Sequence, residues 1–102
     1  MSKFIEIQKK GIDQCWIGSN LDPEKLHFHI TAIPAGERAH PAHTHSGVEA
    51  FYVLEGIGII ESEGETIPVS ANQAVILDAS HIHGLMNTGS VPMKYVVIIV
   101  KS

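Results

Sequence analysis

Five of the seven histidines fall between His40 and His83, and three of them stand in one short stretch, His40-Pro-Ala-His43-Thr-His45. Imidazole is the commonest neutral-pH metal ligand and a proton carrier whose charge changes near neutrality. In an extended backbone residues i and i+2 share a face, so His43 and His45 present two imidazoles to one point while Thr44 faces away. Glu49 follows His45 at another even separation, and a modest bend at Ser46-Gly47 returns its carboxylate to that face. His83 opens a later apolar segment and supplies a further nitrogen from across a barrel. Three imidazoles and one carboxylate suit a divalent transition metal, because nitrogen donors disfavour Mg²⁺ and Ca²⁺ and the lack of thiolates disfavours a closed structural zinc site. Fe, Mn, Ni, Cu and Zn all fit the set. In an octahedral arrangement four such donors leave two positions for water, substrate or O₂.

Other side chains near this set have more than one reading. His81 shares face parity with His83, and His40 precedes His43 by three residues, so each is a substitute ligand, a candidate acid/base group or a solvated imidazole, the last preferred. His27 and His29 share a face that could look into a cavity, against the commoner case of a hydrogen-bonded structural histidine. Phe51 and Val53 have the parity of Glu49, and Leu85 that of His83, which makes them candidate apolar pocket walls; core packing fits that parity equally well. Asn87 can orient His83 or hold the turn after it, and the turn is the preferred role.

The elements that must position these groups are short. Glycines and prolines punctuate segments rich in Ile, Val, Phe and Tyr, an all-β pattern. Strands are expected at Phe4–Gln8, Cys15–Ile17, Leu26–Ile33, Glu49–Leu54, Gly58–Ser62, Glu65–Pro68, Gln73–Leu77, His83–Asn87 and Met93–Val100. Glu61-Ser-Glu-Gly-Glu65 reads as a hairpin and Asn87-Thr-Gly-Ser90 as another turn, so sequence neighbours are expected to pair antiparallel. Asp22-Pro-Glu-Lys25 is a turn rather than a helix. Along Leu26 to Ile33 one face is apolar and the other mixed. Tyr95-Val-Val-Ile-Ile-Val100 does not alternate, so both its faces are expected to be buried, one against the core and one against another sheet or subunit. A homodimer is the preferred explanation, with cover by the N-terminal strand as the other.

At 102 residues, one domain spanning 1–102 is expected, and 44% apolar with 18% charged residues is ample for a core without staples. A net charge of −4 with no basic run argues against nucleic acid as partner. The longest apolar stretch, Tyr95 to Val100, is far short of the ~20 residues of a membrane helix. A single cysteine, Cys15, and an N-terminus without the apolar stretch of a secretory signal read as cytoplasmic.

Two segments together resemble the cupin superfamily. The first, about 36–56, runs Gly36, His43-Thr-His45, Glu49 and Gly56, with Tyr52-Val-Leu-Glu-Gly56 at its end; the second, about 72–89, ends in His83, Asn87 and Thr88-Gly89. It departs from the family pattern in carrying Asn72-Gln73 in place of Gly-Asp and Asp78-Ala-Ser80 in place of Pro-x-Gly. The resemblance covers Leu26 to Val100. It implies a cupin-type double-stranded β-helix, a jelly-roll barrel, with His43, His45, Glu49 and His83 as metal ligands. The function expected on these grounds is enzymatic: dioxygenase, isomerase or lyase chemistry on a small oxygen-bearing metabolite. The alternative is a non-catalytic module that captures a sugar, a carboxylate or the metal itself.

Overall fold

The computed structural model describes residues 2–101, and its elements are nine β-strands with no helix among those residues. They are β1 (Phe4–Lys9), β2 (Ile12–Gly18), β3 (Leu26–Ile33), β4 (Val48–Glu55), β5 (Ile57–Ser62), β6 (Glu65–Ser70), β7 (Ala74–Asp78), β8 (His83–Asn87) and β9 (Met93–Val100). All nine expected strands form, because β-branched and aromatic runs between turn residues pack best on a pleated surface. Residues 22–25 form a turn, closed by Lys25 N–H to the carbonyl of Asp22 (3.2 Å) and Glu24 N–H to the Asp22 carboxylate (2.9 Å).

The pairing differs from the neighbour-to-neighbour expectation. Strand order is β1-β2 in a hairpin, β3-β9-β4-β7 in a four-stranded sheet and β6-β5-β8 in a three-stranded sheet, all antiparallel. Only β1–β2 and β5–β6 are sequence neighbours that pair. The β5–β6 turn is Glu63-Gly64, both with positive φ (52° and 78°), the type I′ geometry that matches strand twist. The chain after Asn87 instead crosses between sheets, and β9 inserts between β3 and β4. The two sheets face each other as a jelly-roll barrel over a core of Ile33, Phe51, Val53, Ile60, Val69, Leu77, Leu85, Met93, Tyr95 and Val97.

Both departures from the cupin pattern have local replacements. Asn72 adopts φ +67°, a left-handed conformation that asparagine tolerates where glycine is usual, and its side chain accepts a hydrogen bond from the Tyr52 hydroxyl. The Asp78-Ala-Ser80 turn is closed by the Ser80 N–H (2.9 Å) and hydroxyl (2.7 Å), both donating to the Asp78 carboxylate. Those bonds hold the Asp78 carboxyl below its ordinary range.

The central strand explains the unbroken apolar run. Tyr95 and Val97 are buried on the inner face of β9, while Val96 and Ile98 on the outer face are only half-buried. On β3 the mixed face, His29, Thr31 and Ile33, points inward; the apolar face, Leu26, Phe28 and Ile30, points out. No helix is long and apolar enough to cross a membrane among the described residues.

Candidate metal centre

The first histidine segment is not a regular strand, yet it is pinned in an extended path along β8. Ala39 N–H donates to the Leu85 carbonyl (3.0 Å), His43 and His83 exchange both backbone bonds (3.0 Å each), and His45 N–H donates to the Ala79 carbonyl (2.9 Å). Arg38 adds an ion pair to Glu61 of β5 at 2.7 Å. The chain then bends at Gly47, whose φ is +98° and where a Cβ would lie 2.3 Å from the Val100 carbonyl oxygen. Only glycine fits there. The bend delivers Glu49 to the inner face of β4, 3% exposed, while His83 on β8 is fully buried.

His43, His45, Glu49 and His83 therefore converge, each offering a ligand atom within 4.8 Å of the others. Donors 2.0–2.2 Å from a shared ion lie at most about 4.4 Å apart, so a closure of a few tenths of an ångström completes the fit. The three rings are mutually near-perpendicular, at 80°, 73° and 77°, with centroids 4.7–5.2 Å apart.

Hydrogen bonding assigns the tautomers. His45 Nδ1 donates to the Ser46 carbonyl (3.1 Å) and His83 Nδ1 to the His81 carbonyl (2.8 Å), which leaves both Nε2 lone pairs aimed at Glu49 Oε1, at 2.6 and 3.3 Å. Electron pairs cannot face one another at that range with nothing between them, so a shared proton or a cation belongs there. His43 Nε2, shielded from solvent and without a hydrogen-bond partner, distinguishes the two. One proton between His45 and Glu49 leaves that nitrogen orphaned, at a cost of ~1–3 kcal/mol; a cation satisfies all four atoms. Burial, then the neighbouring His40, His83 and His45, lowers the His43 pKa and keeps it neutral, as a ligand must be. The donor set fits a transition-metal ion.

Beside the four groups opens a cavity of about 300 Å³ lined by His29, His40, Phe51, Tyr95, Val97 and Lys101 among others. His40 stacks on His43, with centroids 4.1 Å apart, and stands within the cavity wall. Phe51 is also a wall residue. Val53 and Leu85 occupy the inner faces expected of them but lie deeper, in the core, and do not line this cavity. His81 also lies outside it: half-exposed, its Nε2 is 3.6 Å from Glu63 and 3.7 Å from Asp78. The reason is that residues 79–82 form a turn before β8, where strand parity does not carry. His27 turns to the Glu24 carbonyl (3.0 Å), a structural role. His29 lines the wall, as one reading of its strand face allowed, and Tyr95 joins it without a sequence motif, through the β3–β9 register that places His29 opposite Val97 and Thr31 opposite Tyr95. Asn87 holds the turn that follows it, donating to the Ile33 and Val91 carbonyls and accepting from Gly89 N–H.

The cupin domain profile matches residues 29–99. The oxalate-binding protein of Thermotoga maritima is 29% identical over 59 residues, which are 57% of this chain and 49% of that protein, so the chain spans about half the length of this curated relative. The crystal structure of a predicted oxalate decarboxylase from Thermotoga maritima superposes with a TM-score of 0.72 at 23% identity, over 98% of this chain and 93% of that one. A cupin protein from Bacteroides fragilis gives a TM-score of 0.70 at 24% identity, over 76% and 67% of the two chains. Those structural likenesses establish the shared fold, and the profile match over most of the sequence establishes kinship: the chain belongs to the cupin family.

Proposed function

We propose that this cupin holds a divalent transition metal through His43, His45, Glu49 and His83 and presents it to a small oxygen-bearing ligand, most simply a carboxylate, in the adjoining cavity. The observation that carries the reading is the convergence of three ring nitrogens and one carboxylate oxygen, one nitrogen orphaned, at the wall of a 300 Å³ space. When bound, such an ion supplies Lewis-acid polarisation of a ligand oxygen and, if redox-active, electrons. The chain's own contribution is positional and electrostatic. His29, His40 and Lys101 place proton donors and positive charge about the cavity, complementary to an anion, while Phe51, Val97 and Ile99 give apolar walls that exclude water. His40, stacked against His43, is the wall residue suited to carry a proton if the ligand is turned over; His81 is too far outside to do so.

Enzymatic turnover, as a dioxygenase, isomerase or lyase, is the first form of this reading. Capture without turnover is the second, favoured by the oxalate-binding relative. Elemental analysis of untagged protein, then calorimetric titration of the metal-loaded chain with oxalate and a product assay, tests both. Stoichiometric metal and carboxylate binding are expected, and product formation separates enzyme from capture module. Absence of metal at any loading would refute the reading.

Proton competition gives an independent check. A ligating imidazole must be neutral, and an ordinary histidine takes up its proton below about pH 6.5. Since the His43 pKa lies below that value, protons compete there only at lower pH, and affinity is full near neutrality. Metal retention should therefore hold at pH 7.5 and fall as pH drops through roughly 6 to 5. Equal retention at pH 5 and 7.5, measured by dialysis and elemental analysis, excludes imidazole ligation.

A further inference from the structure

Tyr95 stands on the inner face of β9, 4% exposed, in the wall of the metal-side cavity with its ring 6.1 Å from that of Phe51. Although the ring is buried, its hydroxyl makes no hydrogen bond among the described residues and is not shut off from solvent, so it opens onto the space that His29, His40 and Glu49 also line. We propose that the Tyr95 hydroxyl donates a hydrogen bond to an oxygen of the small carboxylate bound in this cavity, orienting it and setting the preference for ligands with an acceptor there. The inference rests on the metal-and-carboxylate reading above. Burial, and then the charge of Glu49, push the phenol up to about 12, so it remains a neutral donor throughout the working pH range. Among the described residues no other hydroxyl lines the cavity.

The test is Tyr95→Phe, which deletes one oxygen and keeps the ring. Mn²⁺ binding to the metal-free chain, oxalate binding to the Mn²⁺-loaded chain and the thermal midpoint are measured for both proteins. A hydrogen bond to a charged group is worth roughly tenfold to hundredfold in affinity, so oxalate affinity should fall by about that factor while Mn²⁺ affinity and midpoint hold. Unchanged oxalate affinity overturns the assignment, and an equal loss of Mn²⁺ affinity overturns it in favour of a role through Glu49. Wild type that takes no Mn²⁺ fails at the metal reading itself. Wild type that takes Mn²⁺ but no oxalate, acetate or pyruvate fails at the carboxylate.

Discussion

Replacing His83 by alanine is expected to lower metal affinity by several hundredfold while leaving the barrel folded. Four-ligand structural zinc sites bind with roughly 10–16 kcal/mol at neutral pH, so on that scale one ligand in four contributes about 2.5–4 kcal/mol, a factor centred on a few hundred. His83 has further leverage because its ring is fully buried and locked by the His81 carbonyl, and its Nε2 faces Glu49 Oε1 directly. No neighbouring group can swing in to replace it. His81, two residues earlier, points to Glu63 and Asp78, and His40 is spent on stacking and on the Pro41 carbonyl. His81→Ala should accordingly retain wild-type metal, which makes it the matched control. Elemental analysis of both untagged variants, alongside circular dichroism, reads the outcome; His83→Ala with wild-type metal content would show the four-group assignment to be wrong.

The contrast between His83 and His81 shows where sequence reasoning succeeds and where it ends. His43, His45 and Glu49 were legible because their spacing is local and even, and an extended backbone turns even spacing into a shared face. The strands were legible because turn residues punctuate β-branched and aromatic runs, three of them to the residue: Leu26–Ile33, His83–Asn87 and Met93–Val100. Parity fails once the backbone leaves the strand, as it does at His81, and it says nothing about depth. Val53 and Leu85 share faces with Glu49 and His83 but sit in the core rather than at the cavity. Non-local pairing is the larger gap. β9 lies between β3 and β4, and that register brings Tyr95 to the cavity wall beside His29, whose strand face had left both a cavity and a structural role open. It also turns the apolar side of β3 outward, against the usual in-out rule, because the mixed side is needed to line a polar site.

The substitution expected to cost most in stability is Asn87→Leu, at about 3 kcal/mol. Asn87 is fully buried, yet its side chain is fully employed. Its Nδ2 donates to the Ile33 carbonyl (2.9 Å) and the Val91 carbonyl (2.8 Å), and its Oδ1 accepts from Gly89 N–H (2.8 Å). Those bonds tie the end of β3 and the β8–β9 crossover to one point, the place where the chain passes from the three-stranded to the four-stranded sheet. Leucine keeps the branched outline, but its methyl groups are bulkier than the amide oxygen and NH₂, so overpacking adds to the loss. Two carbonyls and one N–H are also left without partners, each costing ~1–3 kcal/mol unless water reaches it. For a chain this size about 3 kcal/mol corresponds to a midpoint lower by roughly 15 °C. Asn87→Asp separates the polar cause from the steric one. It keeps the acceptor for Gly89 but turns an oxygen toward two carbonyl oxygens, so it should be comparably unstable at pH 7 and recover in part once acid protonates the carboxyl into a donor. Thermal and urea melts of the metal-free proteins decide it. A loss under about 1 kcal/mol for Asn87→Leu would mean that water replaces the amide and that the crossover is held by its backbone alone.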